Sequence, residues 1–387
     1  MAGVLIHDGR RIGHRKWTVD AISGGLADGA VLSPFATPRV AEPRYPSGAE
    51  MASAVRSAGG EVIFDAMTHA LLLPGVNKLD FYDGWELWGA GGPDLRSAAS
   101  RLDHVERVFQ RQDRLGAPFL APTLQLSSPV DGDSMRVLEI ARTARGLESG
   151  AWQSLVGTRS FWSSGTRLDA FVGTLAALRS PVWVVTLANE VVFDHKPDMV
   201  DVAAWAGFAR TVHSLSERSR VIVAHADLSG LPAVAAGADT VGSGWDRGQR
   251  TFDPNSYRTD SDPGIRIPAS YVTQGGLLAV MRRDVAEAID RWDSRAAYRL
   301  RGGPMPPSDT AQRMHHLGQL RAAVAAVSGQ ATRRARVQEL RQRYRAAEND
   351  FDVLTGALGR TVPPAEKSNW ASQPLTVLEA YASGEGL

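Results

Sequence analysis

Short apolar runs in this sequence are followed repeatedly by residues able to move protons or hold a ligand. Asp65, Thr68 and His69 come after Val62-Ile63-Phe64; Asn189 and Glu190 close the run 182–188; His225 and Asp227 follow 220–224; Ser243, Trp245, Asp246 and Arg247 follow Thr240-Val241-Gly242. Thr37 and Arg39, then Asp83, Trp85 and Glu86, then Gln125 stand in comparable places. If such runs are parallel strands of one closed sheet, the side chains just beyond their carboxyl ends face one shared bowl. Asp65, Asp83, Glu190 and Asp246 are then the candidate acid and base groups. Candidate substrate contacts are Thr68, His69, Trp85, Gln125, Asn189, His225, Asp227, Gly242, Ser243, Gly244, Trp245 and Arg247.

Each cluster has its own chemistry. Asn189-Glu190 at a strand end resembles the acid/base pair of retaining glycosidases, in which a second carboxylate attacks from about 5 Å away. The later run at 270–276 ends in Gln274 where that partner would be expected, and a capping or ion-paired Glu190 is the plainer alternative. His225 and Asp227, two apart on a strand end, are expected to face the same way and to share a proton or a ligand. No close-spaced ligand motif accompanies them, so no metal centre is expected, and no motif calls for a cofactor. Gly242-Ser243-Gly244, with Arg247 and Arg250 nearby, either presents backbone N–H groups to a phosphate or merely turns into a strand.

The elements that would position these groups alternate in period. Runs at 30–35, 61–65, 118–126, 181–187, 220–224 and 239–242 predict buried strands, with further strands at 4–6, 79–88 and 270–273. Leu95, Leu102, Val105, Val108 and Leu115 recur at helical spacing between Gly91-Gly92-Pro93 and Gly116, and 169–178 and 200–215 read the same way. An open doubly wound sheet would fit much of this pattern. The number of units favours an α/β fold of the TIM-type (β/α)8 barrel class over residues 1–300.

The breaker cluster 302–307 predicts a boundary there, followed by a helical C-terminal appendage over 301–387. Met314, Leu317, Leu320, Val324 and Val327 form one apolar stripe, and Val337, Leu340, Tyr344, Ala347, Phe351 and Leu354 another. A helical hairpin laid against the barrel buries both stripes; homo-oligomerisation through these helices is the alternative. Six arginines between Arg333 and Arg345 line the second helix, either as a solvated, ion-paired face or as a contact for nucleic-acid phosphates.

Composition narrows the classes. A 43% hydrophobic and 22% charged chain with a net charge of +1 is an ordinary globular mixture and carries no global attraction for nucleic acid or membrane. No cysteine is present, which rules out disulfides, thiolate metal sites and a cysteine nucleophile. The first residues lack the pattern of a signal peptide and no run is long enough to span a bilayer, so a cytoplasmic protein with no membrane partner is expected.

Residues 60–75, read Gly-Glu-Val-Ile-Phe-Asp-Ala-Met-Thr-His-Ala-Leu-Leu-Leu-Pro-Gly, are followed by Tyr82-Asp83-Gly84-Trp85. That order resembles the early barrel of tRNA-guanine transglycosylases, where a strand, a Thr-Tyr-His-Leu type turn, Arg-Pro-Gly and Gly-Trp-Asp-Gly occur in succession. Residues 31–37 are similar to that family's first-strand Met-Pro-Val-Gly-Thr, and 231–239 to its helix leading to Gly-Val-Asp. The likeness covers about a third of the chain. The family's nucleophilic aspartate would fall near Gly242, its Asp-Ser-Gly-Gly-Phe-Gln segment has no counterpart after Trp85, and its zinc cysteines are absent.

The resemblance implies a divergent transglycosylase-like barrel, a transferase class, that binds a nucleobase, nucleotide or nucleic-acid end. A glycoside hydrolase with Glu190 as acid/base is the second expectation. A barrel without catalysis, serving as an assembly subunit and plugged by Trp85, Trp88 and Trp245, is the third.

Overall fold

The computed structural model describes residues 3–77, 79–189, 198–257 and 270–387, without the side chain of Arg247. Its centre is one sheet of eight parallel strands: β1 (Gly3–His7), β2 (Gly29–Leu32), β3 (Glu61–Phe64), β4 (Gln125–Leu126), β5 (Gln153–Gly157), β6 (Val182–Leu187), β7 (Arg220–Val223) and β8 (Thr240–Gly244). They run in the order β3-β2-β1-β8-β7-β6-β5-β4, so the first strand pairs with the last, from Gly3 against Thr240 to His7 against Gly244. This is the order of a (β/α)8 barrel, cut between β3 and β4.

That cut is closed by a side chain. Gln112, wholly buried, donates to the carbonyls of Phe64 (3.0 Å) and Leu120 (2.9 Å) and accepts from the Leu120 N–H (3.1 Å). Its amide thus supplies across the seam the bonds that a ladder supplies elsewhere. Leu120 also bridges Trp152 in the parallel sense, which extends the β4 side beyond its two-residue strand.

Strand alternation separates two cores. Leu5, Val31, Ile63, Leu120, Val182, Val184, Ile222 and Ala224 meet inside the barrel. Val4, Ile6, Ala30, Leu32, Val62, Phe64, Val221 and Val223 point outward to the helices.

The helical layer comprises α1 (His14–Ser23), α2 (Gly48–Ser57), the single turn α3 (Thr68–Leu71), α4 (Ala98–Leu115), α5 (Gly132–Leu147), the single turn α6 (Arg159–Trp162), α7 (Thr166–Ala176), α8 (Val202–Ser216) and α9 (Leu231–Ala236). Local chemistry sets their ends. Ser47 and Glu50 form a capping box on α2, and Ser97 caps α4, which stops at Gly116 in the left-handed conformation.

After β8 the chain forms an antiparallel hairpin, β9 (Tyr271–Gln274) with β10 (Ala279–Arg282), then α10 (Arg283–Trp292) and α11 (Ser294–Arg301). Next come α12 (Asp309–Ser328), α13 (Arg333–Leu358), α14 (Pro364–Lys367) and α15 (Gln373–Glu385). Helix α12 packs on β1 between α9 and α1, which is the slot of the eighth barrel helix. Its Arg321 grips Asp28 with two bonds (2.6 and 3.0 Å) at the foot of β1. The boundary expected near residue 300 therefore falls within the barrel's own helical layer, and the expected hairpin is α12 inside that layer with α13 outside it, against α9 and α15.

Three strand expectations are corrected. Residues 79–88 form turns and a 3-10 turn at Asp83–Trp85, because Asp80, Asp83 and Gly84 interrupt the apolar pattern. The strand at 270–273 belongs to the separate hairpin. Strand β5 was not expected, since Gln153-Ser154-Leu155-Val156-Gly157 has only two β-formers.

The six arginines of α13 are engaged. Arg333 bonds Ser216 and Glu217, Arg334 the Gly386 carbonyl, Arg336 the Gln330 carbonyl and Arg343 Glu339; Arg341 and Arg345 meet Glu379. Four of the six thus meet carboxylates, and Arg334 and Arg336 meet carbonyls. No described helix is long and apolar enough to cross a membrane.

Candidate functional site

At the carboxyl ends of the strands a cavity of about 230 Å³ opens, lined by His7, the last residue of β1, Asp8 beyond it, Ser33 and Phe35 beyond β2, Asp65 and Met67 beyond β3 and His225 beyond β7. Gln249 and Tyr257, from the segment after β8, complete the wall. That segment reaches across the mouth: Phe252 pairs with Ala188 and its carbonyl accepts from the Asn189 N–H (2.9 Å).

The floor is a pair of stacked imidazoles. His7 and His225 lie 3.6 Å apart, 19° from parallel. The backbone N–H of His225 donates to His7 Nε2 (3.1 Å), so that nitrogen carries a lone pair and the neutral ring holds its proton on Nδ1. The Nδ1 of His225 meets the Gln249 carbonyl (2.8 Å), a contact only a donor can make, which leaves its Nε2 as a basic lone pair. Burial, with smaller opposing effects of the Gln249 carbonyl and Asp65, lowers His225 to about 4. Burial first and His225 second hold His7 well below the imidazole range. Both rings are neutral at pH 7.

Asp65 has the opposite bias. Burial raises its carboxyl above the ordinary range, against the Met67 N–H bond (2.8 Å) and the nearby His225. A carboxyl shifted up beside an imidazole shifted down has the opposed biases that an acid/base pair needs. Asp8 accepts from the Thr37 hydroxyl (2.7 Å) through Oδ2, and its buried Oδ1 has no hydrogen-bond partner among the described residues.

The walls are aromatic. Phe35 meets Tyr257 edge-on at 4.9 Å and Tyr82 at the same distance. Behind them, Phe252 packs on Tyr257 (5.7 Å) and on His69 (4.9 Å). The lining carries three carboxylates, Asp8, Asp65 and Asp80, against Arg10, whose guanidinium is bound to Asp80 and stacked over Phe81. The backbone here is strained: Met67, His225 and Asp227 adopt φ of 48°, 49° and 47°. Left-handed non-glycine residues cost about 1–3 kcal/mol each and concentrate at functional sites.

Of the residues singled out from sequence, Asp65 and His225 line this cavity. Thr68 is buried beside it with its hydroxyl 2.9 Å from His104 Nε2, and His69 is buried with neither ring nitrogen bonded to a described residue. Burial lowers His69 to about 3. Asp83 is exposed and Asp246 pairs with Arg11 (2.8 Å) and Arg313 (3.4 Å), so neither lines the cavity. Glu190 and the side chain of Arg247 lie outside the described residues.

Asn189 accepts from Arg159, and the amide nitrogen of Asn189 and Oε1 of Gln125 are buried without described partners. Trp85 donates to the Thr37 carbonyl (2.8 Å) and Trp245 to the Thr18 hydroxyl (3.0 Å), both between strands and helices, while Trp88 stacks on His104. None of the three plugs the mouth. Gly242 and Gly244 do not form an open phosphate cradle: a Cβ on Gly242 would fall 2.3 Å from His7 Nε2, and one on Gly244 would strike Gln249. Ser243 donates to Asp227 (3.1 Å).

The expectation that His225 and Asp227 face the same way is corrected. Their left-handed backbones break the strand alternation, and Asp227 turns away to Ser243 and His316. Sequence reasoning passed over His7 and Asp8, although they directly follow Val4-Leu5-Ile6 and the same strand-end rule selects them. Phe35, Gln249 and Tyr257 had no such signal, being an apolar strand-end residue and two loop positions.

No protein-family model matches this chain, and no curated protein matches it. Among solved structures, that of a probable tagatose 6 phosphate kinase from Sinorhizobium meliloti 1021 aligns over 100% of this chain and 98% of its own. The identity is 11% and the TM-score 0.33, and neither the fold nor the functional reading rests on that match.

Proposed function

We propose that this barrel binds an uncharged or cationic ring of nucleobase size at its carboxyl mouth, as a base or nucleoside, and acts as a glycosyl or ribosyl transferase on the bond to that ring. The observation that carries the reading is the cavity itself: aromatic walls from Phe35 and Tyr257 over a floor holding Asp65 and His225. Flat heteroaromatic rings are held by such walls, while ring nitrogens and carbonyls need donors and acceptors at the floor. Arg10 is already paired with Asp80 and Asp8 is a carboxylate with no arginine or lysine partner, so among the described residues the lining offers no free cation to a phosphate, and the phosphate of a nucleotide or nucleic-acid end would have to lie outside. The order of motifs that resembles the tRNA-guanine transglycosylases agrees with a base-sized occupant.

In this reading the Asp65 carboxyl, which burial shifts toward its protonated form, is the acid that donates to the leaving ring nitrogen as the glycosidic bond breaks. His225 Nε2 takes the proton of the incoming nucleophile, and His7 holds the backbone from which that imidazole projects. The reaction should therefore depend on pH through both groups. It should fall off below about pH 4 as His225 is protonated, and at high pH as Asp65 ionises.

Calorimetric titration with bases, nucleosides, nucleoside monophosphates and monosaccharides tests the reading. Binding of bases or nucleosides, with monophosphates no tighter, is expected. A second reading, glycoside hydrolysis, is favoured by the three carboxylates on one cavity. Binding of sugars without bases would replace the first reading by the second.

A further inference from the structure

We infer that Asp227 and His316 are positioning residues for His225, so that helix α12 and the β9–β10 hairpin belong to the machinery at the barrel mouth. The inference rests on the acid/base role proposed for His225. It starts from strain: the turn 225–227 contains two left-handed non-glycine residues with one residue between them, a conformation that survives only where neighbours over-determine it.

Those neighbours are identifiable. Asp227 Oδ1 accepts from the Leu228 N–H (2.6 Å), and Oδ2 accepts from Ser243 (3.1 Å) and from His316 Nε2 (2.9 Å), with Arg250 3.3 Å away. His316 is itself aimed by the Thr273 hydroxyl, 2.8 Å from its Nδ1. Because Nε2 gives its proton to the carboxylate, Nδ1 is the acceptor, and the ring has one tautomer and one orientation. The line of bonds runs from the hairpin through α12 to the turn that projects His225.

A hydroxyl, an imidazole and a carboxylate in a row are also the parts of a nucleophilic triad, but Thr273 is 2% exposed and lines neither described cavity. The carboxylate end of the line, two residues from His225, is where the effect must be read. Loss of the His316 donor leaves Asp227 buried and short of a partner, and the turn can then relax toward ordinary backbone angles. The N–H bond to His7 and the Nδ1 bond to Gln249 both depend on that turn.

The test needs no ligand. Histidine side chains are isotope-labelled and followed by NMR against pH, with His225→Gln identifying the His225 signals among nine histidines. In His316→Leu the His225 ring should lose its Nδ1–H signature at the Gln249 carbonyl and titrate nearer the ordinary imidazole range. His104, held by Thr68 and Leu87, should not move. His316→Gln, which keeps a donor, should restore the native signals. Asp227→Asn provides the same readout with less disturbance should His316→Leu fold poorly. Unchanged His225 titration in folded His316→Leu or Asp227→Asn overturns the inference. Failure of every base and nucleoside to bind would instead overturn the proposed function and leave this result standing.

Discussion

Two clusters at opposite ends of the barrel, one around Arg220 and one around His225, are built on opposite principles. At the amino end Arg220 opens β7 and reaches Glu61 on β3 with two bonds (2.7 and 2.8 Å), Asp239 with a third (2.9 Å) and the Thr240 hydroxyl with a fourth (3.1 Å), and lies over Trp152. At the carboxyl end the same strands finish in left-handed turns, stacked neutral imidazoles, a carboxyl raised by burial and buried polar atoms without described partners, among them both ring nitrogens of His69 and Oδ1 of Asp8. A fold tolerates strain and unmatched polarity where function requires them, while at the amino end Gln153 Nε2 and Ser154 Oγ, buried at the start of β5, also have no described partner. Under the proposed function the carboxyl mouth is the working face.

The contrast can be broken or sharpened by substitution. The largest effect is expected from Asp65→Asn and His225→Gln, each of which should lower kcat/KM by about 10² or more. Stability should hold in Asp65→Asn, because a carboxyl raised in the folded state loses stability as it ionises, and asparagine can still accept from Met67. Equal losses of stability and activity would deny the division between the ends.

Next is the seam. Gln112→Ala leaves the Leu120 N–H and two carbonyls without their partner inside the core and should cost about 3 kcal/mol in urea unfolding. Arg220→Met at the amino end should cost about 2 kcal/mol, below the value for a fully buried pair because its partners are about a third exposed, and leave ligand affinity unchanged. A change of affinity in Arg220→Met would couple ends held here to be separate.

The smallest effect is a slope. His69 takes up a proton near pH 6.5 when unfolded but only near 3 when folded, and His104 and His225 near 4. The unfolded chain therefore binds more protons as pH falls below 6.5, and stability is lost from there down toward the folded values. Each ring should account for roughly 1.5–2 kcal/mol between pH 7 and pH 5. His69→Phe should flatten that dependence by one such share in melts across the range.

Much of this was legible. Six of the eight barrel strands announce themselves as apolar runs with β-branched residues, and the first by the short run 4–6. The helical stripes of α12 and α13 also read correctly, and that of α4 in part, because burial on one face leaves a 3.6-residue period; Leu102 of the expected α4 stripe is exposed and Leu95 precedes the helix. What did not read was context. Strand β5 carries too few β-formers to stand out, and nothing local distinguishes α12, an eighth barrel helix arriving some 65 residues after β8, from an appended one. Asp65 and His225 were found because strand ends are identifiable from sequence. The turn of Asp227 toward α12 was not, because it depends on backbone φ values that an Ala-His-Ala-Asp run does not advertise.

The most direct measurement is calorimetric titration of bases and nucleosides into the native protein, Asp65→Asn and Arg220→Met. One-to-one binding that survives Arg220→Met and is lost in folded Asp65→Asn is the predicted result. Binding untouched in Asp65→Asn, or no binding of any base or nucleoside to the native protein, would contradict the account.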